Sequence, residues 1–435
     1  MVCLDTEFLG FGSGRSAILA ATRIELSEGI PPTEAPVDEQ PSAAGVDSGR
    51  AWLIVLAAFL STTTAFFVTY SFTTFLTAMG EEFDTGKGST ALLFSLTIFF
   101  LFVLGLPAGR ASDRWGPRPV VLVGAFVLVA GLLLTSVVPR IELGYLTYGL
   151  GIGFGVACCY VPVVSQVTGW FERRRAVALG VAVSGIGVGT ILGPPVTQAL
   201  IDSLGWRPTY RVLAVVAAVG FLGAASLIRP APAMANAPRL DLKELFANPV
   251  FRAMYFAGFL MTIGLFVPFV FLKPYAQDHG ISAGTAATLV SVLGLGSLVG
   301  RLILGMFAGR LGVLRLYQLC FSVLAASFAI WLFASSSFAA LAVFAFLLGT
   351  AYGGYVALSP VAAAELFGLT GLGAVLGALY TAGGFGGLIG PPIAGWLRDA
   401  TDSYTAAILM AMFFSFCGVL VLRRALRLAK TAPQS

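Results

Sequence analysis

The chain has 435 residues, of which 57% are hydrophobic and 11% charged, with a mean hydropathy of +0.90 and a formal net charge of +5. An average soluble domain carries about 25% charged residues, so the composition excludes a soluble globular domain, a disordered chain and a soluble nucleic-acid binder. The basic excess belongs to the apolar part, because residues 1–50 hold eight acids against three arginines.

Residues 1–50 bear Glu, Pro and Ser, show no cleavable signal pattern and read as a disordered tail. Beyond them come twelve apolar runs, at 52–78, 90–108, 119–138, 143–168, 176–201, 210–228, 252–275, 285–308, 314–334, 338–364, 373–397 and 404–422. A helix crosses the ~30 Å hydrocarbon core with about 20 apolar residues. The runs are continuous rather than alternating, and backbone in lipid must satisfy its own hydrogen bonds. The expected fold class is therefore an all-α membrane protein with twelve transmembrane helices.

With both termini inside, the inner segments hold 19 Lys and Arg and the outer segments six. The positive-inside rule then predicts cytoplasmic termini. The expected location is the plasma (inner) membrane. The stretch 229–251 contains Pro230, Pro232 and Pro238 and reads as a cytoplasmic linker with one interfacial helix at Leu240–Phe246. It separates a first six-helix bundle (51–228) from a second (252–422), and 423–435 is expected to be a cytoplasmic tail.

Four cysteines (Cys158, Cys159, Cys320, Cys417) lie in apolar runs, Cys3 is in the tail, and none has ligand spacing. His279 is the single histidine and reads as a loop residue. No metal, no cofactor and no enzymatic constellation is expected.

A shift of 197 residues lays span five on span eleven. Gly180, Gly187, Gly189 and Gly193 fall on Gly377, Gly384, Gly386 and Gly390, Pro194–Pro195 on Pro391–Pro392, and Asp202 on Asp399. A shift of 200 lays Ala108-Gly109-Arg110 on Ala308-Gly309-Arg310. Both relate span n to span n+6, which makes the halves parallel repeats. Gly185, Gly189 and Gly193 leave one helix face bare for a close neighbour, and Pro194 removes a backbone donor. Tight packing and a sliding seam are both open readings of this face.

After span two the sequence reads Gly109-Arg110-Ala111-Ser112-Asp113-Arg114-Trp115-Gly116-Pro117-Arg118. Gly109 and Gly116 permit a tight turn, Asp113 suits the start of span three, and Arg114 and Arg118 supply inside charge. The segment resembles the major facilitator loop signature, and the resemblance implies a latch on the cytoplasmic side. Its second-half counterpart, Gly309-Arg310-Leu311-Gly312, lacks the acid. Gly169-Trp170-Phe171-Glu172-Arg173-Arg174-Arg175, running on to Gly180, resembles the opening of span five in monocarboxylate transporters and oxalate/formate antiporters. Tyr160, Pro274-Tyr275 and Gly280-Ile281-Ser282 add to the resemblance, which covers about residues 50–425.

Arg301 lies inside span eight, nine residues before Arg310 and so about 13 Å deeper along a helix. Such an arginine costs about 2.5–3.5 kcal/mol unless it faces a wet cavity or a partner. The span interiors offer no Asp or Glu, and Glu365 sits at the end of span ten. The cation either meets a substrate carboxylate or is capped by backbone carbonyls. The family resemblance implies the first, since an arginine in span eight there takes the substrate carboxylate. Proton-coupled relatives carry an acid one turn earlier, where this chain has Ser297, and a lysine in span one, where it has Tyr70. Protons as a coupling ion would then ride with the substrate, and exchange and uniport stay open. The resemblance to the oxalate/formate antiporter, which handles a dianion with a lysine in span eleven, implies a monoanion here, since this span eleven has Tyr380 and Thr381 but no lysine. Tyr70, Tyr160, Tyr352, Tyr355 and Tyr380 either complete the pocket or pack, Phe271 stands near its mouth, and Lys273 reads as a snorkelling interfacial lysine.

The expected function is alternating-access transport of a lactate- or pyruvate-like monocarboxylate through the bilayer, with no obligate protein partner. The alternative is a major facilitator exporter or antiporter of an oxalate/formate-like or drug-like compound. A sensor or membrane enzyme would need an output domain or a polar constellation, and a channel would need rings of like residues.

Overall fold

The computed structural model describes residues 47–171, 173–229, 242–368 and 371–431. The tail up to residue 46, Glu172, residues 230–241, residues 369–370 and residues 432–435 lie outside the described residues, so the tail and linker expectations are met there by no observation. Among the described residues there is no strand, and twelve helices are long and apolar enough to cross a membrane. They are Ala51–Glu82, Lys87–Trp115, Pro117–Thr135, Ile141–Trp170, Val177–Leu204, Trp206–Leu227, Pro249–Asp278, Ala283–Leu304, Val313–Phe333, Phe338–Phe367, Leu372–Thr401 and Thr405–Lys430. These are spans one to twelve below. The short helix before span seven runs over Leu242–Ala247. The last helix continues to Thr431, with Lys430 in its final turn, where the helix dipole favours a cation.

The local chemistry explains the breaks. Span seven divides into Pro249–Leu265 and Val267–Asp278 because Pro268 has no N–H to give the carbonyl of Gly264. Its start is capped by Asn248, whose Oδ1 accepts from the amides of Val250 (2.9 Å) and Phe251 (3.3 Å). Span one divides at the matching place, into Ala51–Tyr70 and Phe72–Glu82. There Ser71 Oγ donates to the carbonyl of Phe67 at 2.6 Å. The turns after spans two and eight match as well, with Gly116 at φ +86° and Gly312 at φ +85°, where a side chain would be strained.

The repeat is visible in packing. Gly189 and Gly193 of span five press on the backbone of Thr63 and Phe67 in span one, and Gly386 and Gly390 of span eleven press on Phe259 and Ile263 in span seven. Each glycine ridge therefore works inside its own half. The halves meet through other residues. Span five meets span eight at Gly187–Leu298 and Thr190–Gly294, and span two meets span eleven at Phe102–Gly384 and Ile98–Gly387.

Two ends of the bundle can be distinguished. The terminal face carries Asp47, Trp115 and Trp170, and the distal face carries Glu82, Lys87, Asp278 and Asp402. The halves are tied together at the distal face. Lys87 Nζ donates to Asp278 Oδ2 at 2.6 Å and to Tyr404 Oη at 2.7 Å, and the amide of Gly88 donates to Asp399 Oδ2 at 3.0 Å. The backbones of Gly88 and Gly395 touch, so a Cβ on either side would collide. At the terminal ends, Gly180 of span five and Gly373 of span eleven have open space beside them.

Candidate functional site

Span eight, a helix over Ala283–Leu311, carries Arg301 to the seam with span five. The residue is 8% exposed. Its Nη1 donates to the carbonyl of Val183 across the seam at 2.6 Å, while Nε and Nη2 are buried with no hydrogen-bond partner. The guanidinium lies 5.9 Å from the ring centre of Tyr352. None of the ion pairs among the described residues includes Arg301, and Glu365 is exposed and does not clamp it.

Both readings of this arginine are thus partly realised. One nitrogen has a backbone carbonyl; two positions of the planar fork are unused. A buried unsatisfied donor costs about 1–3 kcal/mol, and more when charged. A carboxylate fits two parallel N–H groups of a guanidinium. Ser297, one turn earlier on the same face, is 1% exposed and its Oγ also lacks a partner.

Among the tyrosines expected at the site, Tyr70 and Tyr352 are in direct contact. Their hydroxyls lie 3.0 Å apart and join span one to span ten. Phe269 stacks on Tyr70 at 4.5 Å and meets Tyr352 edge-on at 5.5 Å. The field of Arg301 reaches Tyr70, Tyr160 and Tyr380. Tyr160 packs edge-on against Phe66 at 5.4 Å, and Tyr380 lies 6.1 Å from Phe102. Tyr355 turns its ring to Tyr317 (5.7 Å) and Phe321 (5.5 Å) of span nine and serves that packing.

Phe66, Phe269 and the Val183 carbonyl complete the surroundings without having been singled out in the sequence, while the Tyr255 hydroxyl, 3.2 Å from Thr381 Oγ1, belongs to a cluster with Phe246 and Phe251. Only the break beside Pro268, close to Phe269, was a local sign.

Three sequence expectations need correction. Gly109 makes no turn, because helix continues through it to Trp115, and the turn falls to Gly116 alone. Asp113 consequently sits in the last turn of span two and not at the start of span three. It is exposed and pairs with no cation among the described residues, while Arg114, Arg118 and Arg174 are exposed too. Lys273 does not snorkel to the surface: the distal segment of span seven is packed against span one, and the side chain is 2% exposed. In the other motifs, Pro194 and Pro391 lie inside unbroken helices, Arg175–Leu204 and Leu372–Thr401. The amides of Arg173 and Arg174 donate to the carboxylate of Asp47 at 3.0 and 3.4 Å.

Comparison with known proteins bears on this arrangement. The profile of the Major Facilitator Superfamily matches residues 58–275 and 254–434. Monocarboxylate transporter 12 of Xenopus laevis is 30% identical over 423 residues, covering 89% of this chain and 92% of its own. Monocarboxylate transporter 13 of Rattus norvegicus is 31% identical over 381 residues, covering 86% and 88%. The MFS-type transporter pynF of Aspergillus niger is 30% identical over 391 residues, covering 88% of each. Among solved structures, a bacterial homolog of the human lysosomal transporter Spinster, in an inward-facing and unoccupied conformation, superposes with a TM-score of 0.64. It is 15% identical and covers 88% of this chain and 96% of its own. With twelve membrane-spanning helices in two repeated halves and a family match over nearly their whole length, the chain belongs to the major facilitator superfamily of membrane transporters.

Proposed function

We propose that this transporter carries a small organic monocarboxylate, lactate- or pyruvate-like, by alternating access, with Arg301 holding the carboxylate. The observation that carries the reading is the pair of buried, unpartnered guanidinium nitrogens at the seam between the halves. Relatives named monocarboxylate transporters support the same substrate class. The Ser297 hydroxyl and the Tyr70–Tyr352 pair supply neutral polar contacts beside the cation, which suits one negative charge and a short polar body. No carboxylate stands at position 297 to relay a proton, so a coupled proton would travel on the substrate. Nineteen basic residues on the inner segments favour cytoplasmic termini.

A second reading, export of a larger neutral compound, draws on the aromatic lining and on the MFS-type transporter of Aspergillus niger. It predicts transport indifferent to carboxylate competitors. The test is uptake of labelled pyruvate into proteoliposomes. Arg301→Gln should remove about 1.5–3 kcal/mol of binding, roughly 10- to 100-fold in affinity. Undiminished uptake in a correctly folded Arg301→Gln variant would overturn the assignment.

A further inference from the structure

Lys273 is a second cation within the spans, and the Arg301 site does not use it. It lies in the distal segment of span seven, Val267–Asp278, and is 2% exposed. Among the described residues its ammonium has neither an ion pair nor a hydrogen-bonded acceptor. The acid whose field reaches it is Asp202, in the other half, near the distal end of span five. Asp202 is engaged by its own neighbour, since Gln198 Nε2 donates to Oδ1 at 2.7 Å, and Gln198 Oε1 is buried without a partner. The nearby contacts between segments are neutral: Thr73 Oγ1 donates to the Val270 carbonyl at 3.1 Å, and Thr197 Oγ1 to Ser71 Oγ at 3.0 Å.

An ammonium withdrawn from bulk water, with no acid paired to it and Asp202 of the other half reaching it only through its field, is costly in this state. The cost is relieved when the halves part at the distal face, because the packed distal segments of spans one and seven then separate and uncover Lys273. The side chain would stand on the wall of the opened mouth, on the distal side of the Tyr70–Tyr352 pair. We infer that Lys273 is the loading site for the substrate anion: the carboxylate meets its ammonium first, then passes inward to Arg301. Asp202 drives the transfer, because closure of the distal face brings its negative charge toward a carboxylate still resting on Lys273. This inference rests on the monocarboxylate reading above.

The test uses labelled pyruvate and the full-length chain. Lys273→Gln should lower kcat/KM for uptake about tenfold, the size of one charge-assisted hydrogen bond, and Lys273→Arg should restore most of it. Asp202→Asn should move kcat/KM the opposite way, upward. A second measurement isolates the step. Lys87→Cys and Asp278→Cys, joined by a short thiol crosslinker, hold the distal face shut. In that form pyruvate should bind wild type and Lys273→Gln equally and fail to bind Arg301→Gln. Weaker binding of Lys273→Gln in the bridged form, or a fall in uptake with Asp202→Asn, would overturn the loading role alone. Equal pyruvate binding by the bridged protein with and without Arg301 would instead overturn the carboxylate reading beneath it. Should Lys273→Gln not reach the membrane, Asp202→Asn decides the question with the lysine in place.

Discussion

Arg301 and Ser297 share one face of span eight, a turn apart, and neither is fully satisfied. An acid introduced at the serine position would be the natural partner for the free side of the guanidinium. Ser297→Asp should therefore occupy Nε and Nη2 and compete with the substrate. When the introduced carboxyl is ionised, at higher pH, pyruvate affinity should fall; as pH drops through its titration the arginine is released and affinity should recover. The KM of Ser297→Asp for pyruvate, relative to wild type at the same pH in proteoliposomes, should thus rise as pH rises through the titration of the introduced carboxyl and return toward wild type below it. Arg301→Lys should keep the charge and lose the planar fork, raising KM by about tenfold. Arg301 itself was legible in the sequence because a guanidinium in an apolar run must have a reason. Its contact with Val183 was not, because a carbonyl is common to every residue and only the approach of span five selects that one. Lys273 was misjudged for a related reason. Its distance from the end of an apolar run does not reveal that span one packs over it.

The spans themselves are organised by close backbone approach, since apolar side chains gain little from leaving lipid for one another. The glycine register carried this information in the sequence, and the two ridges do face matching partners in spans one and seven. What the register could not give was the partner's half, because spacing defines a bare face and not what covers it. The loop signature shows the opposite limit. Residues 109–115 contain no strong breaker, so span two runs on as helix to Gly116, the first position where positive φ is required. A Cβ at Gly390 would run into the carbonyl of Ile263, whereas Gly180 has open space around it. Gly390→Ala should destabilise the purified protein by about 1–3 kcal/mol through overpacking. Gly180→Ala should be neutral or stabilising by roughly 0.5–1 kcal/mol, the helix preference for alanine. Thermal unfolding midpoints in detergent compare the two directly, and equal midpoints would remove the ridge from the account of stability.

At the scale of the whole transporter, ionic and polar ties join the halves at the distal face, while at the terminal ends Gly180 and Gly373 stand beside open space. The distal network gathers Lys87 from span two, Asp278 from span seven, and Arg398 and Tyr404 from the last two spans and their turn. Burial and the Asp278 carboxylate raise the Tyr404 hydroxyl above its usual range, so it remains a donor to Asp278 Oδ2, at 2.9 Å. On the terminal side Asp113, for which we propose a latching role, is exposed and unpaired among the described residues. Cycling would exchange these ties: the distal network would break as the terminal latch formed. Each ion pair here is partly exposed, so one alone is worth about 0–1 kcal/mol. Lys87→Met removes both the pair to Asp278 and the bond to Tyr404, which should shift the balance toward the distally open state by a few-fold, since 1.4 kcal/mol is a factor of ten. Asp113→Asn should shift it the other way by removing the terminal latch. Distances between spin labels placed at the distal ends of spans two and seven would report both shifts, and a Lys87→Met population unchanged from wild type would mean that backbone contact at Gly88 and Gly395 holds the distal face shut without help from charge.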